Sequence, residues 1–303
     1  MDNSYEYKPF YDGMVAHGLI VPTSVLGTFG RGAVFEEIVN RFNELVNRIA
    51  ADDGAEVYAF PPVIDRKIME KVHYLETFPH LCGSVHSFYG NNKEALELAE
   101  CANEGGQWGD MLKQTKVVLS PAACYPVYPT LAGTIPAEGR LVTVLNWVYR
   151  HEPSEEPTRL QSFRMREFIR AGTPDQVVPW RDMWLQRGLD LLHALKLPAS
   201  SDVASDPFFG RGGKMRALSQ KDQKLKFEVL IPVISETDHT AVCSFNYHQD
   251  HFASAFGIYT QDGELAHTAC MGFGMERIAM ALFKTHGFDP KQWPASVRDL
   301  LWP

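Results

Sequence analysis

The sequence contains few cysteines and has no excess of positive charge. An odd, scattered set of five cysteines in 303 residues does not form the disulfide framework of a small secreted protein. They are Cys82, Cys101, Cys124, Cys243 and Cys270. The 29 basic and 37 acidic side chains give a net charge of −8, which argues against an overall cationic surface for nucleic acid or anionic lipid. These features predict a protein of a reducing compartment, the cytoplasm.

Long uninterrupted hydrophobic runs are also missing. Residues 117–137 carry no charge and are long enough to cross a bilayer. Prolines would break a membrane helix here at Pro121, Pro126, Pro129 and Pro136. The first residues, Met-Asp-Asn-Ser-Tyr-Glu, have neither the basic region nor the apolar core of a signal peptide. We therefore expect no membrane association, and we interpret 117–137 as buried strand and loop.

The hydrophobic pattern predicts strands in the middle of the chain and helices mainly towards its ends. In 34–50, apolar residues recur with the spacing of an amphipathic helix. Further helices are predicted at 93–103, 174–197 and 275–284, strands at 57–60, 140–150, 162–170, 225–234, 240–247 and 254–260, and a loop with a short turn at 199–224. This order indicates an α+β fold around an antiparallel sheet. No G-x-G-x-x-G sequence follows a strand, as a dinucleotide-binding fold would require.

A first group of polar residues surrounds a predicted hairpin. Tyr149-Arg150-His151-Glu152 ends one strand, and the following loop carries Arg159 and leads to Phe163. Because side chains alternate along a strand, Arg150 and Glu152 share a face. A guanidinium group matches phosphate or carboxylate oxygens, and an aromatic ring can stack on a base. The alternative is an exposed hairpin with ordinary surface charges.

A second group lies at the start of the helix predicted at 275–284. Gly272-Phe273-Gly274-Met275-Glu276-Arg277 places two glycines where the backbone can turn tightly and approach a ligand. Arg277 falls in the first turn of the helix, where a cation opposes the helix dipole, so an anionic partner is more natural than a role in stability. The alternative is a glycine turn followed by a solvated arginine.

These groups resemble sequence motifs of a known enzyme class. YRHE…RLQSF resembles motif 2 of the class II aminoacyl-tRNA synthetases, and GFGMERIAMAL resembles their motif 3. The helix and strand within 34–60 are similar to motif 1, and the resemblance extends over 30–285. It implies a class II synthetase-like domain, with an antiparallel β-sheet core flanked by helices. This single catalytic domain would occupy 1–303, with a helical insertion at about 174–220, and form a homodimer.

Longer segments narrow the resemblance. SFRMREFIRAGTPDQV, CSFNYHQDHF and HTACMGFGMERIAMALFKTHGFDP are similar to the catalytic core of the atypical, zinc-dependent archaeal seryl-tRNA synthetases. They resemble more closely the truncated bacterial homologues of those enzymes, the amino acid:[carrier protein] ligases. The resemblance implies an AMP-forming ligase that activates a small amino acid with ATP as its aminoacyl-adenylate. The ligase would then transfer it to the phosphopantetheine thiol of an acidic carrier protein.

The resemblance also implies which residues would form the site. One Zn²⁺ per subunit would be held by Cys124, Glu167 and Cys270, leaving a fourth position for the α-amino group of the substrate. The catalytic residues would be Arg150, Glu152 and Arg277, with Arg150 on the α-phosphate. Arg159 and Arg277 would bind the outer phosphates, which would also carry Mg²⁺. Phe163 and Arg277 would sandwich the adenine, and Glu228 and Asn246 would face the amino acid or the nucleotide.

Several alternatives remain open. Two rival groups of possible metal ligands are compact in sequence, namely His80, Cys82 and His86, and His248, Asp250 and His251. A synthetase-like enzyme that uses tRNA or another nucleophile as acceptor is the second interpretation. A tRNA-binding domain would add on the order of 100 residues, so we expect that tRNA is not the acceptor. A non-catalytic paralogue is the third interpretation.

Two further expectations concern the substrates. A basic run is suited either to docking an acidic carrier protein or to a solvated loop. It consists of Arg211, Lys214, Arg216, Lys221, Lys224 and Lys226. Tyr125 and Tyr128 lie beside Cys124 in sequence and would leave little room for a side chain, which favours glycine and then alanine.

Overall fold

The computed structural model describes residues 6–210 and 212–303. Within them the α-helices are α1 (Lys8–Ala16), α2 (Ala33–Ile49), α3 (Arg66–Lys71), α4 (Tyr74–Thr77), α5 (Asn92–Asn103), α6 (Pro174–Ala194), α7 (Gly213–Asp222), α8 (His251–Phe256), α9 (Met275–His286) and α10 (Ala295–Leu301). The β-strands are β1 (Ile20–Pro22), β2 (Phe29–Arg31), β3 (Glu56–Tyr58), β4 (Val63–Asp65), β5 (Ser84–Ser87), β6 (Lys113–Leu119), β7 (Gly133–Thr134), β8 (Arg140–Tyr149), β9 (Ser162–Gly172), β10 (Ser200–Val203), β11 (Lys226–Ile231), β12 (Thr240–Gln249), β13 (Ile258–Tyr259) and β14 (His267–Gly274).

A seven-stranded sheet is the centre of the fold. Its order is β10-β11-β12-β14-β9-β8-β3, and neighbours are antiparallel except for β3 and β8, which are parallel. The hairpin of β8 and β9 runs from the pair Arg140 and Ala171 to the pair Tyr149 and Ser162. The predicted α+β class with an antiparallel core is confirmed. A smaller sheet, β4-β6-β5, lies beside it.

Helices cover one face of the central sheet. α6 packs across β9, β12 and β14, and α9 packs against α2 and the sheet. Aromatic side chains that alternate to this face meet the helices, so the ring centres of Phe168 and Trp184 are 4.7 Å apart and those of Phe42 and Phe273 are 5.4 Å apart. This apolar layer leaves the opposite face of the sheet for polar residues.

Three segments differ from the sequence prediction. Residues 254–260 are the end of α8, which stops at Gly257 with φ of 69°, followed by the two residues of β13 rather than a longer strand. Residues 199–224 contain the edge strand β10 and helix α7 rather than a loop with a turn. The segment predicted as a helical insertion at about 174–220 therefore holds a strand between its two helices. The sequence pattern does not predict β14, because HTACMGFG is nearly all buried and lacks the alternation of a half-buried strand.

The uncharged segment 117–137 is not a membrane helix. It contains the end of β6, a 3-10 turn at Tyr128–Leu131 and the short β7, and Tyr128 is completely buried. This agrees with the predicted buried strand and loop. Among the helices of the described residues, none is both long and apolar enough to cross a membrane.

Candidate active site

The polar face of the central sheet is the floor of a cavity of about 1270 Å³. Residues paired across antiparallel strands share a face, so the strand register arranges the floor in rows. One row is Glu228, Ser244, Gly272 and Glu167, and the next is Lys226, Asn246 and Cys270. All the residues that the sequence predicts for the site line this cavity: Cys124, Arg150, Glu152, Arg159, Phe163, Glu167, Glu228, Asn246, Cys270 and Arg277.

Cys124, Glu167 and Cys270 come together although they are distant in sequence. Cys124 lies in the loop after β6, Glu167 on β9 and Cys270 on β14. All three are buried, and their sulfur and carboxylate atoms lie within 4.8 Å of one another. No other such group of three or more His, Cys, Asp or Glu side chains occurs within 6–210 and 212–303. The structure thus brings together the predicted ligand set, and zinc binding by it stays a prediction.

The carboxyl group of Glu167 is poorly satisfied by protein atoms. Its Oε1 accepts a hydrogen bond from the Ala123 N–H at 2.9 Å, whereas its buried Oε2 has no hydrogen-bond partner in the described part of the chain. Burial, together with the neighbouring Cys270 sulfur, raises the pKa of Glu167 to about 8. A cation between this carboxylate and the two sulfurs would compensate for the buried negative charge.

The sulfur of Cys270 has several polar neighbours. Besides the Cys124 thiol, Asn246 Nδ2 donates to Cys270 Sγ at 3.4 Å, and His248 Nε2 lies 3.5 Å from it. These contacts lower the pKa of Cys270, while the Cys270 sulfur and burial raise the pKa of Cys124. A thiolate is the form of cysteine that binds metal ions. The pair therefore has the chemistry of a metal ligand set.

Arg150 presents a guanidinium group to the cavity beside an aromatic ring. Its Nε donates to the Pro121 carbonyl at 2.9 Å, and its guanidinium carbon lies 5.7 Å from the Phe163 ring centre. Phe163 is only 9% exposed, so the ring is held in a fixed position. In the described residues no carboxylate lies within ion-pair distance of Arg150. Its charge is therefore available to an anionic ligand.

Arg277 has a similar environment at the start of α9. Its Nε donates to the Thr158 carbonyl at 2.8 Å and its Nη1 to the Ala241 carbonyl at 2.9 Å. Burial lowers the pKa of Arg277, and the nearby charge of Arg150 lowers it further. Two guanidinium groups in one cavity are favourable when an anion lies between them, and a nucleotide phosphate has that charge.

Arg159 and Glu152 lie on the loop between β8 and β9. Arg159 is exposed, and its Nε lies 3.2 Å from Glu156 Oε2. Glu152 is half-buried and lines the cavity. An exposed arginine paired with one surface carboxylate can exchange that partner for a phosphate at low energetic cost. Arg159 is thus the most exposed of the predicted ligands.

A buried ion-pair cluster is not apparent from the sequence, and one of its members is a lysine expected at the surface. Lys226, predicted to be part of a surface basic run, is buried with Nζ 2.6 Å from Asp206 Oδ1 and 2.9 Å from Glu228 Oε1. Although burial alone would raise the pKa of Asp206, the Lys226 ammonium group holds it below its usual value. The other described members of the run are exposed on or just after α7, and they are Lys214, Arg216, Lys221 and Lys224. Arg211 lies outside the described residues.

The two rival metal groups have other surroundings. His80, Cys82 and His86 do not form a metal-ligand group among the described residues, and His80 packs against Phe209. His248 lies against Cys270, and both His248 and His251 line the cavity. The two predicted specificity residues separate, because Tyr125 lines the cavity whereas Tyr128 is buried against Phe252 with ring centres 3.7 Å apart.

Comparison with solved structures defines the class of the fold. M. kandleri SerRS, solved in complex with A. aeolicus tRNASec, matches 96% of this chain with a TM-score of 0.82 and 22% identity. Seryl-tRNA synthetase from Pyrococcus horikoshii, complexed with ATP, matches 96% of this chain with a TM-score of 0.70 and 12% identity. The chain spans 60% and 62% of these two structures. The fold is that of the class II aminoacyl-tRNA synthetases.

Comparison with curated proteins identifies the family. No protein-family model matches the chain. Amino acid–[acyl-carrier-protein] ligase 1 of Bradyrhizobium diazoefficiens is 47% identical over 277 residues, which cover 91% of this chain and 85% of the relative. Ligase 2 of the same organism is 46% identical, and the type-2 serine–tRNA ligase of Methanopyrus kandleri is 28% identical over 88% of this chain and 54% of its own length. The chain belongs to the amino acid–[acyl-carrier-protein] ligase family of enzymes.

Proposed function

We propose that this enzyme activates a small amino acid with ATP and transfers it to the phosphopantetheine thiol of a carrier protein. The observation that carries the proposal is the 47% identity, over 91% of the chain, to a relative named amino acid–[acyl-carrier-protein] ligase. The cavity agrees with it, because it combines a polar floor, a cysteine-rich end and the guanidinium groups of Arg150 and Arg277, which form no ion pair within the described residues. An adenylate-forming reaction needs an anion-binding end and an amine-binding end in one cavity.

In the first step, a carboxylate oxygen of the amino acid attacks the α-phosphorus of ATP. The new oxygen–phosphorus bond forms as the bond to the β-phosphate bridge breaks, and pyrophosphate leaves with Mg²⁺. Arg150 and Arg277 stabilise the charge on the phosphates, and Arg159 closes from the loop. Phe163 stacks on the adenine. Most of the rate enhancement arises from positioning and charge stabilisation.

Cys124, Glu167 and Cys270 are suited to hold one Zn²⁺. Two sulfurs and a carboxylate are preferred zinc ligands, and the unpartnered Glu167 Oε2 marks the point where protein atoms alone leave a polar group unsatisfied. When bound, the ion would supply a coordination position that selects a free α-amino group. Asn246 and His248 keep the Cys270 sulfur oriented by their contacts with it.

In the second step, the carrier thiol attacks the adenylate carbonyl, a thioester forms and AMP leaves. Of the exposed basic side chains of α7, Arg216 lines the cavity. An acidic carrier protein would be attracted to such a surface. The relatives also include serine–tRNA ligases, so tRNA is the acceptor to be tested against a carrier protein.

We propose glycine, followed by alanine, as the amino-acid substrate. Tyr125 lies at the amine end, where its ring makes edge contacts with Tyr74 and Phe252 at centre distances of 5.8 and 5.9 Å. A ring held on two sides cannot move away from a substrate side chain. Each additional methyl group would change the selectivity by about 1–3 kcal/mol.

We also infer that the enzyme is a cytoplasmic homodimer. Large apolar side chains are exposed on β1 and in the turn after it, at the start of α2 and on β8, and they are Val21, Val25, Leu26, Val34 and Trp147. Exposed apolar surface of this kind is typical of an interface between subunits. Sedimentation at several protein concentrations tests the assembly, and a single monomeric species would contradict it.

The proposal is tested by pyrophosphate exchange with the zinc-loaded protein and each of the twenty amino acids. Exchange with glycine, weaker exchange with alanine and little with the rest is expected. Cys270→Ser and Arg150→Ala should lose the activity. Cys101→Ser and Arg140→Ala are matched controls, because Cys101 lies on α5 and Arg140 pairs with Glu56 at the outer edge of the sheet.

The acceptor is identified in a second assay with labelled glycine. The label should be transferred to a phosphopantetheinylated carrier protein and not to the same protein without the cofactor. Transfer to tRNA instead would replace the carrier by tRNA in the proposal. Absence of exchange with every amino acid would refute the activation step itself.

A further inference from the structure

A buried lysine connects two carboxylates at one side of the cavity. Lys226 begins β11, its side chain is only 10% exposed, and its Nζ contacts both Asp206 and Glu228 at less than 3 Å. Burial of an ammonium group costs free energy unless the group is paired. The two carboxylates therefore hold the Lys226 side chain in place, and it holds them. Glu228 lies two residues along the same strand and points to the same face, the cavity floor.

Asp206 belongs to a segment that borders the cavity, residues 204–210, which we call the strap. The strap leaves the edge strand β10 beside Lys226, whose carbonyl accepts a hydrogen bond from the Ala204 N–H at 3.0 Å. Asp206 also exchanges two hydrogen bonds with the Gln220 side chain of α7, at 2.7 and 2.8 Å. Lys226 therefore joins the strap and α7 to the sheet.

The other end of the strap contacts residues that line another part of the cavity. The Phe209 N–H donates to the Thr77 carbonyl at 2.9 Å, and Phe208 stacks on Phe78 with ring centres 5.4 Å apart. Both Phe208 and Phe78 line the cavity. The strap thus connects the sheet with the part of the cavity lining formed by α4 and the turn after it.

The position of Lys226 assigns it to the amino-acid half of the cavity. Lys226 pairs with Asn246 on β12, and Asn246 pairs with Cys270 on β14. Adjacent strands are about 4.8 Å apart, so Lys226 starts about 10 Å from Cys270 along one row. Arg277, at the phosphate end, lies on α9 and follows the last residue of β14, Gly274, whereas Cys270 lies within β14.

We propose that Lys226 is a positioning residue for the amino-acid half of the cavity. It holds the Glu228 carboxylate toward the substrate, and through Asp206 it fastens the strap. The identity of the substrate rests on the proposed function, whereas the fastening of the strap does not.

The first test compares Lys226→Met with Lys116→Met, an exposed lysine on strand β6 of the smaller sheet. Lys226→Met should raise the KM for the amino acid in pyrophosphate exchange by about ten-fold or more, because one partner of a buried charge cluster is lost. The KM for ATP should change much less, and Lys116→Met should resemble the wild type. Equal changes in both KM values, or no change, would overturn the positioning role.

The second test follows amide hydrogen exchange in the strap and requires no activity. Exchange in 204–210 should accelerate by about ten-fold or more in Lys226→Met and in Asp206→Asn, since both variants break the fastening contact. Glu228→Gln should leave strap exchange unchanged and still raise the KM for the amino acid. Unchanged strap exchange in Lys226→Met would refute the fastening, even if the wild type activates no amino acid and the proposed function fails.

Discussion

Replacement of Glu276 by glutamine should destabilise the protein, although its neighbour Arg277 lines the cavity. Glu276 is fully buried on the helix face of the sheet, where its Oε1 lies 2.8 Å from Arg164 Nε and 3.5 Å from Arg31 Nε. Its Oε2 accepts a hydrogen bond from the Arg164 N–H at 2.7 Å. Arg164 also makes two 2.7 Å hydrogen bonds with Glu36 of α2, so the cluster joins α2, β9 and α9.

The expected loss follows from these contacts. Breaking a buried ion pair costs about 3–5 kcal/mol, and glutamine retains one acceptor oxygen, so Glu276→Gln should lower the free energy of unfolding by about 3 kcal/mol. Because a domain is stable by only about 5–15 kcal/mol, urea unfolding resolves this change easily. Glu36→Gln is the matched control, since Glu36 is 36% exposed and should cost about 1 kcal/mol.

Arg277→Gln should instead weaken ATP binding without destabilising the fold. This variant removes a half-buried cation with no ion pair among the described residues, so the KM for ATP should rise while the unfolding free energy changes little. A loss below about 1 kcal/mol in Glu276→Gln, or a rise in its KM for ATP equal to that of Arg277→Gln, would refute the separation of the two roles.

Three further outcomes are expected. Gly272→Ala should weaken zinc binding by about ten-fold in a chelator competition, because a Cβ there would lie 3.1 Å from Glu167 Cγ; unaltered affinity would show that Glu167 adjusts freely. In the metal-free protein, the pKa of Glu167 is raised from 4.5 to about 8, so its contribution to stability is present at low pH and is lost as the pH rises to 8. The loss is at most about 5 kcal/mol and should be absent in Glu167→Gln by urea unfolding at several pH values. Lys214→Glu with Lys221→Glu should raise the KM for the carrier protein and leave pyrophosphate exchange unaltered, and an equal effect on both reactions would contradict docking at α7.

The parts of the fold that the sequence predicts well are those with a strong local pattern. The hairpin of β8 and β9 and the helices α2 and α9 begin and end within a few residues of their predicted positions. β14 and α7 are missed for opposite reasons. β14 is buried on both faces, so its sequence has no alternation of apolar and polar residues. α7 is polar with only Gly213 buried, so its sequence has no apolar stripe.

The candidate ligand set shows why a site of this kind is hidden in the sequence. Cys124, Glu167 and Cys270 have no characteristic spacing, because a loop and two neighbouring strands supply one ligand each. Gly272 on β14 lies opposite Glu167 on β9, and Cys270 is two residues before Gly272. Only this register makes Cys270 the diagonal neighbour of Glu167. A sequence that does not reveal β14 cannot reveal that register. In the sequence, only the resemblance to a known family therefore indicates these three residues.

Lys226 shows the converse problem, a visible residue with a misleading context. Along β11, Lys226 and Glu228 face one side while Phe227 and Val229 face the other, the alternation of a half-exposed strand. A cavity and the solvent both favour polar side chains, so this alternation cannot tell them apart. What distinguishes them is the strap, whose Asp206 covers the Lys226 ammonium group. The sequence of a strand specifies which residues share a face, but a distant segment determines whether that face becomes a surface or a binding site.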